Sequence, residues 1–242
     1  MYKVTNMVVS IILLSLGVVM AGVFIASKVI NYSLKTIIFK TIASAFFVAL
    51  GIYLLITVEG HFVFKLLTVL GLFFGFLGDV LLGFKYITTG RAKKLWILAG
   101  MFAFAFGHIF YIVALFTEYY VAGQWWFILL PLVTALCLSS IYMAISPKVG
   151  ISFGKLLPFG LFYLACLSTM FSTSLYMAVL HGFSNISSVL FFIGAFFFVC
   201  SDTMLTGSYF KPGKRPGWYN GLYSVFYYLA QFIIAFSLFF LA

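Results

Sequence analysis

The run VFKLLTVLGLFFGFLGDVLLG, residues 63–83, decides the fold. A helix needs about 20 apolar residues to cross the hydrocarbon core of a bilayer, and this run has that length. Only two of its side chains are ionisable, Lys65 and Asp79. It lacks the alternation of a barrel strand, and a bilayer offers no water to unpaired backbone groups. It therefore reads as a transmembrane helix carrying one acid near its end.

Seven further runs have the same character: 7–26, 37–57, 95–116, 125–145, 155–178, 186–206 and 218–241. The composition agrees with them. Of 242 residues, 65% are hydrophobic, 21% aromatic and 7% charged, and the mean hydropathy is +1.21. Soluble domains carry about 25% charged residues, so a water-soluble globule is excluded, and with it a disordered or collagen-like chain. The expected fold is all-α, a polytopic bundle of eight transmembrane helices forming a single membrane domain over 1–242. The linkers are short and hold the breakers, as in Gly83 to Gly90, Pro147 to Gly154 and Pro212 to Gly217. The first run follows Lys3 much as a signal sequence would. It has no clear cleavage site and other spans follow, so it reads as the first span.

The net charge is +10, but the basic residues lie between apolar runs, which gives no reason to expect nucleic acid. Lys28, Lys35 and Lys40 flank the first loop. Lys85, Arg91, Lys93 and Lys94 fill the third, Lys148 and Lys155 bound the fifth, and Lys211, Lys214 and Arg215 fill the seventh. Only Lys3 and Lys65 fall on the other side. The positive-inside rule then puts the odd loops in the cytoplasm and both termini outside a multi-pass protein of the cell membrane. Cys137, Cys166 and Cys200 each lie inside an apolar run, and read as small buried hydrophobes rather than metal ligands or disulfides.

Asp79 and Asp202 stand 123 residues apart, each near the end of an odd-numbered span. The same offset carries Gly71 to Gly194, Phe73 to Phe196, Phe74 to Phe197 and Leu82 to Leu205. It also carries Lys40 to Tyr163 and His108 to Gln231. Two tandem units of four spans, about 1–120 and 121–242, are expected. An even number of spans per unit relates them by a pseudo-two-fold axis along the membrane normal.

Ionisable groups within spans are candidates for function, because an uncompensated charge at bilayer depth costs at least about 2.5–3.5 kcal/mol. Glu59 and Glu118 read as solvated loop charges. Asp79 and Asp202 do not, since apolar residues follow both, and a carboxylate near a helix C-terminus meets the unfavourable end of the dipole. Lys40 shares their depth and a small, polar face with Ser44 and Gly51. It either snorkels to the headgroups or faces the bundle. His108, with Tyr111 three residues on, is a packing residue or a substrate contact, and no second ligand stands at zinc spacing. His61 and His181 lie in loops and carry no assignment. Asn220, Tyr223, Ser224, Tyr227 and Gln231 form one face of the last span, and Tyr163 is polar in the sixth.

Together these groups suggest one cavity in the cytoplasmic half, walled by Phe and Leu. It fits a substrate with a polar head and a long apolar tail. Two carboxylates in such a wall do not both ionise, so one keeps a proton as general acid while the other serves as base.

The stretches Gly78-Asp79-Val80-Leu81-Leu82, Gly107-His108-Ile109-Phe110-Tyr111, Ser201-Asp202-Thr203-Met204-Leu205 and Tyr227-Tyr228-Leu229-Ala230-Gln231 resemble the signature runs of the YhhN family of integral-membrane lysoplasmalogenases. The resemblance covers nearly the whole chain. It implies hydrolysis of the vinyl ether bond of a lysoplasmalogen to a fatty aldehyde and a glycerophospho-base. Asp79 and Asp202 would be catalytic, and Lys40, His108, Tyr163, Tyr227 and Gln231 would bind substrate. No metal or organic cofactor is required, and the expected partners are the lysophospholipid substrate and membrane lipids. One departure concerns the start of the second helix: the family's Lys there is typically followed by Pro, and Lys40 is followed by Thr41. Read from the residues alone, a transporter or flippase of a small amphiphile, or a non-catalytic lipid-binding protein, stays open beside the hydrolase.

Overall fold

A computed structural model describes residues 2–30, 33–85, 87–120, 123, 125–213 and 215–241. Among these residues lie eight α-helices, all long and apolar enough to cross a membrane: α1 (Tyr2–Ile30), α2 (Leu34–Thr57), α3 (Phe62–Phe84), α4 (Gly90–Tyr119), α5 (Trp126–Ile145), α6 (Leu157–Leu180), α7 (Ile186–Phe210) and α8 (Gly217–Ser237). Short 3-10 turns occupy Gly154–Leu156 and Leu238–Leu241. The protein is an all-α, multi-pass membrane bundle.

α1, α4 and α7 run several residues past the apolar windows that announced them. Hydropathy marks the part that sits in hydrocarbon, whereas backbone hydrogen bonding continues until a breaker intervenes. Gly90, at φ +59°, is that breaker before α4. Helix resumes there, so Arg91, Lys93 and Lys94 form its exposed first turns rather than a loop. Glu118, expected in a loop, lies in the last turn of α4. The helix before Thr41 is continuous: α2 begins after Ser33, and the Thr41 hydroxyl donates to the Ile37 carbonyl at 3.0 Å.

α1 to α4 pack in sequence. α4 then meets α6, α6 meets α7, α7 meets α8, and α8 returns to α1. α8 also reaches inward to α2 and α3, while α5 packs outside this ring, on α6. The two ends of the bundle are distinct. At one end, Ser152 N donates to Phe210 O (2.9 Å), and Lys28 reaches Asn220 and Ser224 of α8. These contacts join the first, fifth and seventh loops. At the other end, Asn6 donates to Thr57 O (3.3 Å), and His61 pairs with Glu118 (2.6 Å). The described basic residues of the odd loops therefore share one end; Lys214 and the side chain of Lys3 lie outside the described residues. Lys65, counted on the opposite end, is buried and donates to the Val58 carbonyl.

The 123-residue offset recurs in the packing. A side chain at Gly71 would run into the Tyr111 ring, and one at Gly194 would run into Ile234, which is the residue 123 after Tyr111. Gly107 lies against the Gly71 carbonyl, and its counterpart Ala230 presents its own carbonyl to Gly194. α3 and α4 thus approach at the same register as α7 and α8, where absent side chains let backbones close in. Phe104 and Tyr227, themselves related by the offset, meet edge to face with centroids 5.8 Å apart. Residues that touch their own counterparts lie where a two-fold axis would pass.

Candidate active site

The buried stripe Thr68, Leu72, Gly75, Asp79 and Leu82 faces α3 into the bundle. Gly75 is placed so that a side chain would strike Gln231, so α8 lies close and Asp79 is 2% exposed. A buried carboxylate needs compensation from partners, and α2 and α8 supply it. Lys40 Nζ lies 2.7 Å from Asp79 Oδ1. One turn further along α2, Ser44 Oγ donates to Oδ2 at 2.5 Å, and from α8 the Tyr227 hydroxyl donates to the same oxygen at 2.7 Å. Gln231 stands behind Tyr227, donating to its hydroxyl (3.2 Å) and accepting from Tyr111 (2.9 Å). Tyr228 Oη lies 3.2 Å from Ser44 Oγ and 3.3 Å from the Lys40 carbonyl.

Asp202, 6% exposed on α7, is held far more sparely. Tyr163 of α6 donates its hydroxyl to Oδ2, and among the described residues only that oxygen is engaged. Behind Tyr163 stands His108 of α4, its Nε2 3.3 Å from the phenol oxygen and its ring edge-on to Phe198 at 4.7 Å. With the phenol proton directed at Asp202, His108 must donate through Nε2, which leaves Nδ1 as the unprotonated nitrogen. Nδ1 is buried without a partner.

Both carboxylates line one small polar chamber of about 40 Å³, together with Lys28, Lys40, Ser224 and Tyr227. Asp202 also lines a second cavity, of about 540 Å³, between α5, α6 and α7. That cavity is almost wholly apolar, with Leu138, Ile141, Leu167 and Phe171 among its walls. The acid on α7 thus stands at the wall between a polar compartment and a greasy one.

Lys40 is an ion-pair partner of Asp79 and does not snorkel. Tyr163 and Tyr227 each hold one acid. His108 and Gln231, expected to touch substrate, line neither cavity and stand one residue behind. Each comes from the fourth helix of one half and supports the acid of the other half.

Two cations escaped the sequence reading because a Lys beside a loop looks like a flanking charge. Lys28 donates to Ser224 Oγ (2.7 Å) and the Asn220 carbonyl (3.1 Å), and lies 3.8 Å above the Tyr223 ring. The signal was the inward face of α1, where Ala21, Phe24 and Lys28 follow at helical spacing. Lys85, just past the end of α3, lies buried 3.1 Å above the Tyr209 ring. Burial, reinforced by Lys28, Lys40 and Lys93, pushes its ammonium well below the ordinary lysine value.

The fold and these paired acidic centres define a polytopic membrane protein with a buried amphiphilic pocket. A family model matches residues 35–238, and the chain belongs to the YhhN family. No curated protein and no solved structure matches it.

Proposed function

We propose that the protein is a membrane hydrolase that cleaves the vinyl ether bond of a lysoplasmalogen, releasing a fatty aldehyde and a glycerophospho-base. The observation that carries this reading is the position of Asp202 between the polar chamber and the apolar cavity. There it meets an amphiphile at the junction of head and tail, where a vinyl ether lies.

The two acids divide the work by their partners. Asp79, held by an ammonium and two hydroxyls, is the standing carboxylate. Asp202 has no cation beside it among the described residues, and is the proton donor. It protonates the β-carbon of the vinyl ether; the alkene electron pair forms the new C–H bond, and the ether oxygen shares its lone pair to give an oxocarbenium ion. Asp79 stabilises that cation across the chamber. The Asp202 carboxylate left behind takes a proton from the attacking water, the same residue acting first as acid and then as base. In the resulting hemiacetal the C–O bond to glycerol breaks. The glycerol oxygen gains a proton, the hydroxyl loses one, and the aldehyde leaves with its tail in the apolar cavity. Tyr163 and Tyr227 fix the two carboxyls. The basic end of the bundle is the cytoplasmic end, so both termini face out.

The test is purified protein with a lysoplasmalogen, scored for aldehyde. Release by the native chain and loss with Asp202→Asn, in protein that still elutes as a folded species, supports the reading. Absence of aldehyde from the native chain overturns it, and flux of intact lipid across liposomes would indicate a transporter.

A further inference from the structure

The chamber is lined by two lysines, Lys28 and Lys40, and two acids, Asp79 and Asp202. Lys40 is matched by Asp79 at 2.7 Å. Lys28 is not so matched. Its described partners, Ser224 Oγ, the Asn220 carbonyl and the Phe24 and Tyr223 rings, are all neutral, and no carboxylate lies within ion-pair distance of it among the described residues. Yet its side chain lines the polar chamber and is largely withdrawn from solvent. These four neutral partners fix its amino group in place at the odd-loop end of the bundle.

An ammonium held this way is a preorganised anion seat. The anion has to arrive with the ligand, and has to reach this end of the bundle while a tail occupies the apolar cavity on the far side of Asp202. A phosphate ester attached to a long chain meets both requirements. Charge-assisted hydrogen bonds from Lys to phosphate oxygens are stronger than neutral ones.

We propose that Lys28, positioned by Ser224, Asn220 and Tyr223, is the residue that recognises the phosphate of the substrate head group, and that it sets the preference for phosphorylated over phosphate-free alkenyl glycerols. The assignment rests on the hydrolase reading above. Lys28 lies in α1, ahead of the residues matched by the family model. Lys40, the other candidate for this role, is committed to Asp79.

The experiment compares two substrates on the full chain in detergent, an alkenyl glycerophosphoethanolamine and the corresponding alkenyl glycerol without phosphate. The native chain favours the phosphorylated substrate in KM by about tenfold or more. Lys28→Gln reduces that preference to within about twofold, and Lys28→Arg restores most of it. In the native chain, soluble glycerophosphate competes with the phosphorylated substrate. Weaker competition by inorganic phosphate identifies the lipid head group as the ligand, and competition by both alike would mark a free-phosphate site and overturn the head-group assignment. A preference retained by Lys28→Gln overturns the proposal. A second readout does not depend on catalysis: a lysophosphatidylethanolamine raises the melting temperature of the native chain more than a monoacylglycerol does, and Lys28→Gln removes the difference. Should the native chain release no aldehyde, this measurement still decides the role of Lys28, so the two readings fail separately.

Discussion

Among the described residues, Asp79 meets an ammonium and two hydroxyls; Asp202, 123 residues later on α7, meets a single phenol. The difference begins with one substitution between the halves, since the position that gives Lys40 in α2 gives Tyr163 in α6. In the proposed mechanism, a cation beside one acid and a phenol beside the other make the first the standing carboxylate and the second the proton donor. The sequence left open which acid keeps the proton, and the hydrolase proposed above assigns it to Asp202 from the partners of each. The 123-residue offset relates the two acids, and the partners around them differ.

The largest effect that sharpens this contrast is expected at Asp202. Asp202→Asn lowers the rate of aldehyde release by about 10²–10⁴-fold, the range for a lost general acid, while thermal unfolding changes little. At Asp79 the effect is mixed. Asp79→Asn strands the Lys40 ammonium in the bundle, where breaking a buried pair costs about 3–5 kcal/mol. Combining it with Lys40→Met recovers much of the stability, and melting curves of the two single variants and the double variant check this. The double variant stays slow because the oxocarbenium ion has lost its counter-charge.

Smaller effects separate the phenols. Tyr163→Phe removes the one described donor to Asp202, whereas Tyr227→Phe leaves Asp79 two partners. Asp202 loses its one described anchor while Asp79 keeps two, so kcat falls further for the former, by up to about tenfold for a bond of about 1.5 kcal/mol. The smallest effect lies at the other end of the bundle. The His61–Glu118 pair is partly solvent-exposed, so Glu118→Gln shifts unfolding by about 0–1 kcal/mol and leaves aldehyde release at the native rate.

The sequence made the bundle legible because each span is a separate apolar run, and because cations do not cross a bilayer readily. The two acids were legible for the same reason: a charge in oil stands out. The 123-residue offset was legible in polar residues, and the packing of Gly71 on Tyr111 and of Gly194 on Ile234 follows it. Lys28 and Lys85 were not legible as site residues, because only the turn of the helix distinguishes an inward lysine from a flanking one. His108 and Gln231 were legible as polar and buried, but their distance from the cavities depends on how α4 and α8 cross between the halves, which no local pattern encodes. The extra turns of α4 escaped because charge ends a hydropathy window without ending a helix.

The division between the two acids is tested most directly by infrared spectroscopy of the resting protein, in the carbonyl region of protonated carboxylic acids. The account predicts one such band from a membrane-buried acid, absent in Asp202→Asn and retained in Asp79→Asn. A band that survives in Asp202→Asn and disappears in Asp79→Asn would contradict it.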